Sequence, residues 1–308
     1  MNYPVNQLEF EQLFSDEMQC LEYLKSIRWP EGFVCPECKG KKYWETGNGL
    51  FKCQSCSKRS SVIAGTFFHR SKQPLTLWFR AFWWVVAQKN GVSAQGLQRI
   101  LGLGSYRTAW TWLHKIRRLM VLPNRDKLNG EVEVDETFVG ESKSGKRGRG
   151  AEGKVPVVIA LELRGKGTGR VRLERVANCT RPTLEAFIEA KIEKGSTVIT
   201  DGWKAYGHLE AKGYVHEIQQ AVQMDGEEIL PELHRIAALL KRWLLGTHQS
   251  YCVTEYMEYY LDEFSFRYNR RRSNSRGLLF RTLLEQAMAK SATTYREITG
   301  SKTTKHNR

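Results

Sequence analysis

The chain has 308 residues, 41% of them hydrophobic, which suits a catalytic domain with one or two small appendages rather than a single core. Lysine and arginine number 48 against 33 aspartates and glutamates, a formal net charge of +15. That excess suits a polyanionic partner such as nucleic acid, although a basic surface can also serve solubility alone. Seven cysteines are too few for a disulfide-built secreted scaffold. The opening MNYPVNQLEFEQLF is mixed and acidic, unlike a signal peptide. No run approaches the roughly 18 apolar residues of a membrane span, so a soluble, cytoplasmic protein with no membrane partner is expected.

Residues 1–30 read as a helical lead-in. Asp16 can cap a helix running through Met18, Leu21, Tyr23, Leu24 and Ile27, which Trp29-Pro30 stops. Residues 31–70 hold two Cys-x-x-Cys turns, Cys35-Pro-Glu-Cys38 and Cys53-Gln-Ser-Cys56, separated by 14 residues. Each turn aims two thiolates at one point, and two turns close a tetrahedral shell around a structural zinc ion. Four thiolates leave no open position for a substrate, and a redox pair would need only one such turn. Cys20, Cys179 and Cys252 lack this spacing and read as ordinary thiols.

Residues 74–122 read as helical. One helix runs from about Leu75 to Lys89 and ends at Asn90-Gly91, a second starts near Ser93, and a third runs from Ser105 to about Met120. Val92, Leu97, Ile100 and Leu101 form the apolar face of the second. Gly102-Leu-Gly104 makes the turn, and Ser105 can cap the third. The third helix carries Tyr106, Arg107, Thr108, Trp110 and Thr111 near its start, then Lys115, Arg117 and Arg118. Ala109, Trp112, Leu113, Ile116 and Met120 can pack inward. This is the layout of a helix-turn-helix, in which early residues of the second helix meet base edges and basic residues meet phosphates. A helical bundle with a solvated basic face has the same pattern.

After a break at Pro123-Asn124 the rhythm changes. Glu131–Val139 alternates like a strand, Val155–Leu163 is an apolar strand, and Gly169–Ala177 alternates again. A helix follows over Arg181–Lys191, a short strand over Ser196–Thr200, a helix over Trp203–Lys212, and a helical pattern from Pro231 to Tyr268. Strands followed by helices around one sheet predict an α/β (mixed α+β) domain over residues 130–285. The glycine-rich basic stretch 141–154 is expected to be a mobile loop, and 286–308 a polar, frayed tail.

Two aspartates stand out. Asp135 lies inside an apolar strand and Asp201 at the end of another. An aspartate so placed is costly unless a cation or donors satisfy it. Two on adjacent strands could hold divalent metal ions, the arrangement that serves phosphodiester cleavage and transfer. The plainer readings are a solvent-facing strand position for Asp135 and an Asp-Gly turn for Asp201.

The segments VEVDETFVG, TDGWKAY, HRIAALLKRWLLGTH and YLDEFSFRYNRR, in this order, resemble the catalytic domain of bacterial insertion-sequence transposases of the DDE class, in the group with an N-terminal zinc ribbon. The likeness runs from about residue 30 to Arg272. It implies an RNase H-like fold behind the zinc ribbon and helix-turn-helix segment. It also implies magnesium- or manganese-dependent strand cleavage and transfer, and binding to double-stranded DNA at terminal inverted repeats and at a target. At least a dimer in the DNA complex and a nucleoid location go with that reading. Asp135 and Asp201 would be the metal ligands.

The third acidic position of the family falls on His234, a departure from the plain carboxylate pattern, with Glu232 and Glu263 as possible substitutes. Neutral imidazole suits manganese better than magnesium, so His234 could instead position a phosphate or water, or be an ordinary surface histidine. Lys241 lies two helical turns beyond His234 on the same face and matches the family's DNA-contacting lysine; a solvated basic face is the alternative. Arg267, Arg270, Arg271 and Arg272 interleave with Phe266 and Tyr268, which suits a phosphate backbone or a plain charged helix end. An RNase H-like structure-selective nuclease and a catalytically inactive DNA-binding regulator remain as alternatives.

Overall fold

A computed structural model describes residues 3–46, 49–122, 125–140, 153–165, 167–219, 228–248 and 254–300. The chain divides into two compact units, one made of residues 1–120 with 273–308, the other of 121–272.

The first unit opens with helix α1 (Gln7–Leu13), capped by Asn6, and helix α2 (Glu17–Arg28), capped by the Asp16 carboxylate accepting from Gln19 N at 2.9 Å. Trp29 ends α2, as its sequence position before Pro30 predicts. Strands β1 (Tyr43–Thr46), β2 (Leu50–Cys53) and β3 (Arg59–Ser61) form an antiparallel sheet beneath the cysteines. Its small apolar floor is aromatic: Phe51 packs against Trp29, Phe33 and Tyr43 at centroid distances of 5.1, 5.8 and 5.3 Å. Helices α3 (Leu75–Ala87), α4 (Ala94–Leu101) and α5 (Tyr106–Arg117) follow. Ser93 and Ser105 cap α4 and α5 through Gly96 N and Thr108 N. Gly102, at φ 61°, closes α4 in the left-handed conformation that a glycine adopts without steric cost.

The second unit is built on strands β4 (Glu131–Gly140), β5 (Lys154–Arg164), β6 (Gly167–Arg175), β7 (Thr197–Thr200) and β8 (Val215–Ile218), with helix α6 (Arg181–Lys191) between β6 and β7. Helices α7 (Pro231–His248) and α8 (Met257–Asn269) complete it. Among the described residues the sheet order is β6-β5-β4-β7-β8, with the first three antiparallel and β4, β7 and β8 parallel. This mixed order, with helices on both faces, is the RNase H-like arrangement expected above.

Period-two alternation along β4 sorts its side chains. Val132 and Val134 join the core shared with α6, Ala205, Tyr206 and Leu209. The opposite sheet face, with Ile159, Leu161 and Ile199, packs against Leu233, Ile236, Ala237 and Leu240 of α7 and against α8.

The chain then returns to the first unit through helix α9 (Arg276–Ala289) and the short helix α10 (Tyr295–Thr299). Phe280 of α9 sits between Phe10, Phe14, Phe79 and Trp83, all within 5.8 Å of its ring centroid. The catalytic-domain boundary expected at 285 therefore falls earlier, near Ser273, because α9 carries the apolar face that fills the N-terminal aromatic core. The stretch expected as a polar tail contains α10, held by a capping box between Thr294 and Glu297.

Other expectations shift as well. The helix predicted over Trp203–Lys212 is two 3-10 turns, Lys204–Tyr206 and Glu210–Lys212. Edge strand β8 has exposed, half-polar residues and was not anticipated. The loop expected to be mobile at 141–154 lies outside the described residues, apart from Gly153 and Lys154, which opens β5. Cys252 also lies outside them.

Candidate functional site

The four cysteines converge. Cys35 Sγ lies 3.6 Å from Cys56 Sγ and Cys38 Sγ 3.5 Å from Cys53 Sγ, and all four sulfurs fall within 4.8 Å of one another. Cys35 and Cys53 are buried, Cys38 and Cys56 exposed. The backbone N–H groups of Cys56 and Ser55 point at Cys53 and hold its thiol at about 6. A set of soft donors so gathered, one already favouring the thiolate, fits a structural zinc ion. Gly40 lies against it: a Cβ there would come within 2.9 Å of Ser55 Oγ and 3.3 Å of Cys53 Sγ. Cys20 is an ordinary buried thiol, pushed up to about 12 chiefly by burial, and Cys179 is half-buried.

The second site lies in the other unit. Parallel pairing of β4 with β7 matches Glu131 to Thr197, Val132 to Val198 and Glu133 to Ile199. Continued two residues, this register sets Asp135 beside Asp201, just past the end of β7 and on the face toward α7. Adjacent strands run about 4.8 Å apart, so the two carboxylates are neighbours. Asp201 accepts from Trp203 N at 2.9 Å through Oδ1, so it does form the turn that an Asp-Gly pair favours, while also standing next to Asp135. Burial, together with the Glu136 and Asp201 carboxylates, pushes Asp135 up to about 6, and His234 opposes that rise.

Helix α7 brings His234 to the pair. Its Nε2 lies 3.6 Å from Asp135 Oδ2, and its Nδ1 lies 3.0 Å from Glu228 Oε1. With Nδ1–H donating to Glu228, Nε2 presents a lone pair toward another lone-pair bearer. That spacing calls for a cation or a proton between the two atoms. Lys241, further along α7, is held below its usual value by burial and by Lys154, with Asp135 pulling the other way. Asp135, Asp201 and His234 thus come together where β7 ends, with Lys241 further along the same helix. The donor set of two carboxylates and an imidazole fits a hard or borderline divalent cation. Among the described residues, however, only the four cysteines have three or more ligand atoms drawn within 4.8 Å of one another.

The substitutes considered for the third ligand are otherwise engaged. Glu232 pairs with Arg235, and Glu263, 1% exposed, pairs with Arg267 at 2.7 Å.

The basic residues expected to meet DNA divide. Arg107 and Arg118 are exposed on α5 and at its end, and Lys115 is half-buried. Arg117 is buried, 2% exposed, because it continues the inward stripe of Ala109, Leu113 and Ile116 along α5. Ile100, expected on the inner face of α4, is 53% exposed; Leu97 is buried there as expected, joined by Ala94. Arg271 donates to the carbonyls of Thr168, Gly169 and Tyr268 and stacks 4.0 Å over the Tyr268 ring; it ties the end of α8 to β6. Arg270 lies 4.2 Å over Phe266.

Three groups beside Asp135 escaped the sequence reading. Glu133, 3% exposed, accepts from Leu233 N at 2.8 Å. Glu136, on the other face of β4, accepts from the Tyr206 hydroxyl at 2.9 Å. Glu228 holds His234. The signal available for the first two was the unusual density of carboxylates in the apolar run Val132-Glu-Val-Asp-Glu.

Comparison with known proteins assigns families to both parts of the chain. The family model for the ISXO2-like transposase domain matches residues 127–269, and that for the transposase zinc-ribbon domain matches residues 15–59. An uncharacterized protein in transposable element ISH50 of Halobacterium salinarum is 27% identical over 256 residues, covering 75% of this chain and 84% of that protein. With both domain families matched in order along one chain, this protein belongs to the insertion-sequence transposases that carry an N-terminal zinc ribbon.

Proposed function

We propose that the protein binds the terminal inverted repeats of its element and catalyses metal-dependent cleavage and transfer of DNA strands. The observation that supports this most is the in-register neighbourhood of Asp135 and Asp201, with His234 Nε2 3.6 Å from Asp135. Magnesium or manganese, held by the two aspartates, would activate the attacking oxygen and stabilise charge on the leaving one.

The chain's own groups do the rest. Burial keeps Asp135 short of water, so its carboxylate gains most from a cation and is aimed by the strand rather than by a mobile rotamer. Glu228 orients His234, leaving Nε2 directed at Asp135. Lys241 offers an ammonium to a substrate phosphate on the same helix face. In the first step water attacks the phosphodiester bond and the 3′ hydroxyl leaves; in the second that hydroxyl attacks a target phosphodiester and the target strand's 3′ oxygen leaves as a hydroxyl. In the first unit, α4 and α5 act as a helix-turn-helix, with Tyr106 and Thr108 near base edges and Arg107, Lys115 and Arg118 on phosphates. Arg270 adds a further contact in the second unit. Two element ends must meet for strand transfer, so the working form is at least a dimer.

The test is cleavage and joining on DNA carrying the element's ends, with magnesium or manganese, for wild type beside Asp135→Asn and Asp201→Asn. Joined products should vanish in both variants while end binding persists. Wild-type binding without metal-dependent cleavage would overturn the proposal in favour of a DNA-binding regulator, and cleavage without joining would favour a nuclease.

A further inference from the structure

The first turn of α7 is an unusual helix start. A helix leaves its first N–H groups without intrahelical partners, and a polar side chain just before the helix normally takes one of them. Here the preceding residue is Leu230, whose carbonyl accepts the first helical bond, from His234 N at 3.0 Å. Its apolar side chain can cap nothing. Leu230 is fully buried and sits at φ 48°, a left-handed conformation that a leucine rarely adopts. Its N–H donates to Gln219 Oε1 at 3.2 Å. Pro231 has no N–H to offer.

The cap comes instead from the middle of the sheet. Glu133, paired on one side with Leu161 and on the other with Ile199, reaches out of β4 and accepts from Leu233 N at 2.8 Å. A carboxylate at a helix N-terminus is also favoured by the helix dipole. Glu133 shares its face of β4 with Asp135, two residues on, and Leu233 immediately precedes His234. One hydrogen bond therefore links the strand carrying Asp135 to the helix carrying His234, at the point where the two residues meet.

We propose that Glu133 is a positioning residue: its carboxylate caps α7 from the neighbouring strand and fixes His234 against Asp135. This rests on the function proposed above, since it assigns His234 a part in the reaction. Glu133 does not touch the reacting atoms. Its contribution passes through the backbone of Leu233, so an uncharged acceptor of the same shape should serve almost as well. An apolar side chain of similar length should release the helix start.

The experiment compares full-length wild type, E133Q, E133M, H234A and the E133M/H234A double variant. Three readouts are needed: cleavage rate at saturating end DNA, affinity for end DNA, and amide hydrogen exchange over residues 230–240. Loss of a buried hydrogen-bond partner should slow cleavage by E133M about tenfold to a hundredfold, with end-DNA affinity unchanged. E133Q should keep the rate within about threefold of wild type, because its amide oxygen still accepts from Leu233. If Glu133 acts through His234, E133M/H234A should be no slower than H234A alone. Exchange at the start of α7 should quicken in E133M and stay slow in E133Q.

Full activity in E133M would overturn the proposal, as would E133Q as impaired as E133M, which would mark the charge itself as the working feature. So would multiplying effects in the double variant. If E133M fails to fold, E133Q decides by itself: wild-type exchange over α7 supports the cap, and fast exchange overturns it. If wild type shows no cleavage, the function proposed above fails, and the exchange comparison still decides whether Glu133 holds α7.

Discussion

Asp135 and His234 face each other across 3.6 Å, carboxylate Oδ2 to imidazole Nε2, with Glu228 behind the ring at 3.0 Å from Nδ1. A carboxylate behind a histidine fixes which nitrogen carries the proton and strengthens the other as a ligand. In the function proposed above, the imidazole takes the metal position that a third acid would otherwise fill.

That relationship gives the first prediction. Loss of an orienting partner or of a ligand lowers metal-dependent activity by about 10- to 100-fold, so His234→Ala should lose activity on that scale. Because imidazole suits manganese better than magnesium, His234→Glu should shift the preference toward magnesium. Cleavage rates measured across both ions check this; an unchanged ratio of the two in His234→Glu would exclude His234 from the metal position.

A second link holds Asp201. The Tyr206 hydroxyl donates to Glu136 at 2.9 Å, and both side chains are buried. Tyr206 lies in the 3-10 turn that follows Asp201-Gly-Trp, so this bond ties the segment after Asp201 to the strand carrying Asp135. Burial first, then Glu136 and Asp135, raise the tyrosine well above its ordinary value, so it remains a donor at any working pH. Tyr206→Phe keeps the ring and removes the bond, and should cost about 1–2 kcal/mol of stability as well as lower the cleavage rate. Urea unfolding alongside the activity assay tests both, and unaltered unfolding and rate would refute the link.

How much of this was legible beforehand depends on the range of the interactions. The zinc tetrad was readable because its geometry is local: each pair of cysteines sits in one turn, and spacing alone implies convergence. Asp135 and Asp201 were readable because a charge inside an apolar strand stands out. Glu133 and Tyr206 were not, because their partners lie about 100 and 70 residues away and the bonds arise only when β4, α7 and the turn after β7 assemble. Arg117 was misjudged for a related reason. Sequence marks a charge but not the face of the helix it lands on, and long arginine stems bury readily when carbonyls or rings receive the guanidinium. The return of α9 to the first unit was hidden because a Phe280 that completes an aromatic core looks the same in sequence as one that extends the previous domain.

A third prediction concerns pH. Glu162, 2% exposed, accepts from Arg170 through its backbone N–H and guanidinium and from Arg164 Nε. Burial alone would raise this carboxyl, but the Arg170 hydrogen bonds and the two positive charges bring it down to about 2 from an ordinary 4.5. A depressed acid contributes stability above its unfolded value and loses it as the pH falls toward the folded one. Glu162→Gln should therefore be less stable than wild type by about 2–3 kcal/mol at neutral pH. The gap should close as the pH drops from about 4.5 toward 2. Urea unfolding at pH 7 and near pH 3 makes the comparison, and an equal gap at both would show that the charge pairing is not its source.

The last prediction turns on Gly40. The ribbon's aromatic floor is small, and a unit of this kind takes much of its folding energy from the metal. Stripping zinc with a chelator should therefore make residues 31–61 the first to be cut by protease, before the sheet of the second unit. Gly40 makes the claim sharper, because a single methyl group there would press on Ser55 Oγ at 2.9 Å and on the Cys53 and Cys38 sulfurs at 3.3 and 3.4 Å. Room for a few tenths of an ångström must come from the thiolates or from Ser55, whose hydroxyl can rotate but whose backbone N–H helps hold Cys53 at about 6. Disturbing that backbone weakens the donors that favour the thiolate, and the metal must then work against a higher proton affinity. Gly40→Ala should lower zinc affinity by about 10- to 100-fold, the range found when groups supporting a metal site are altered. Competition with a chromophoric chelator measures it directly. Wild-type affinity in Gly40→Ala would mean that the sulfurs are gathered around the ion in some other way than their present packing against this glycine.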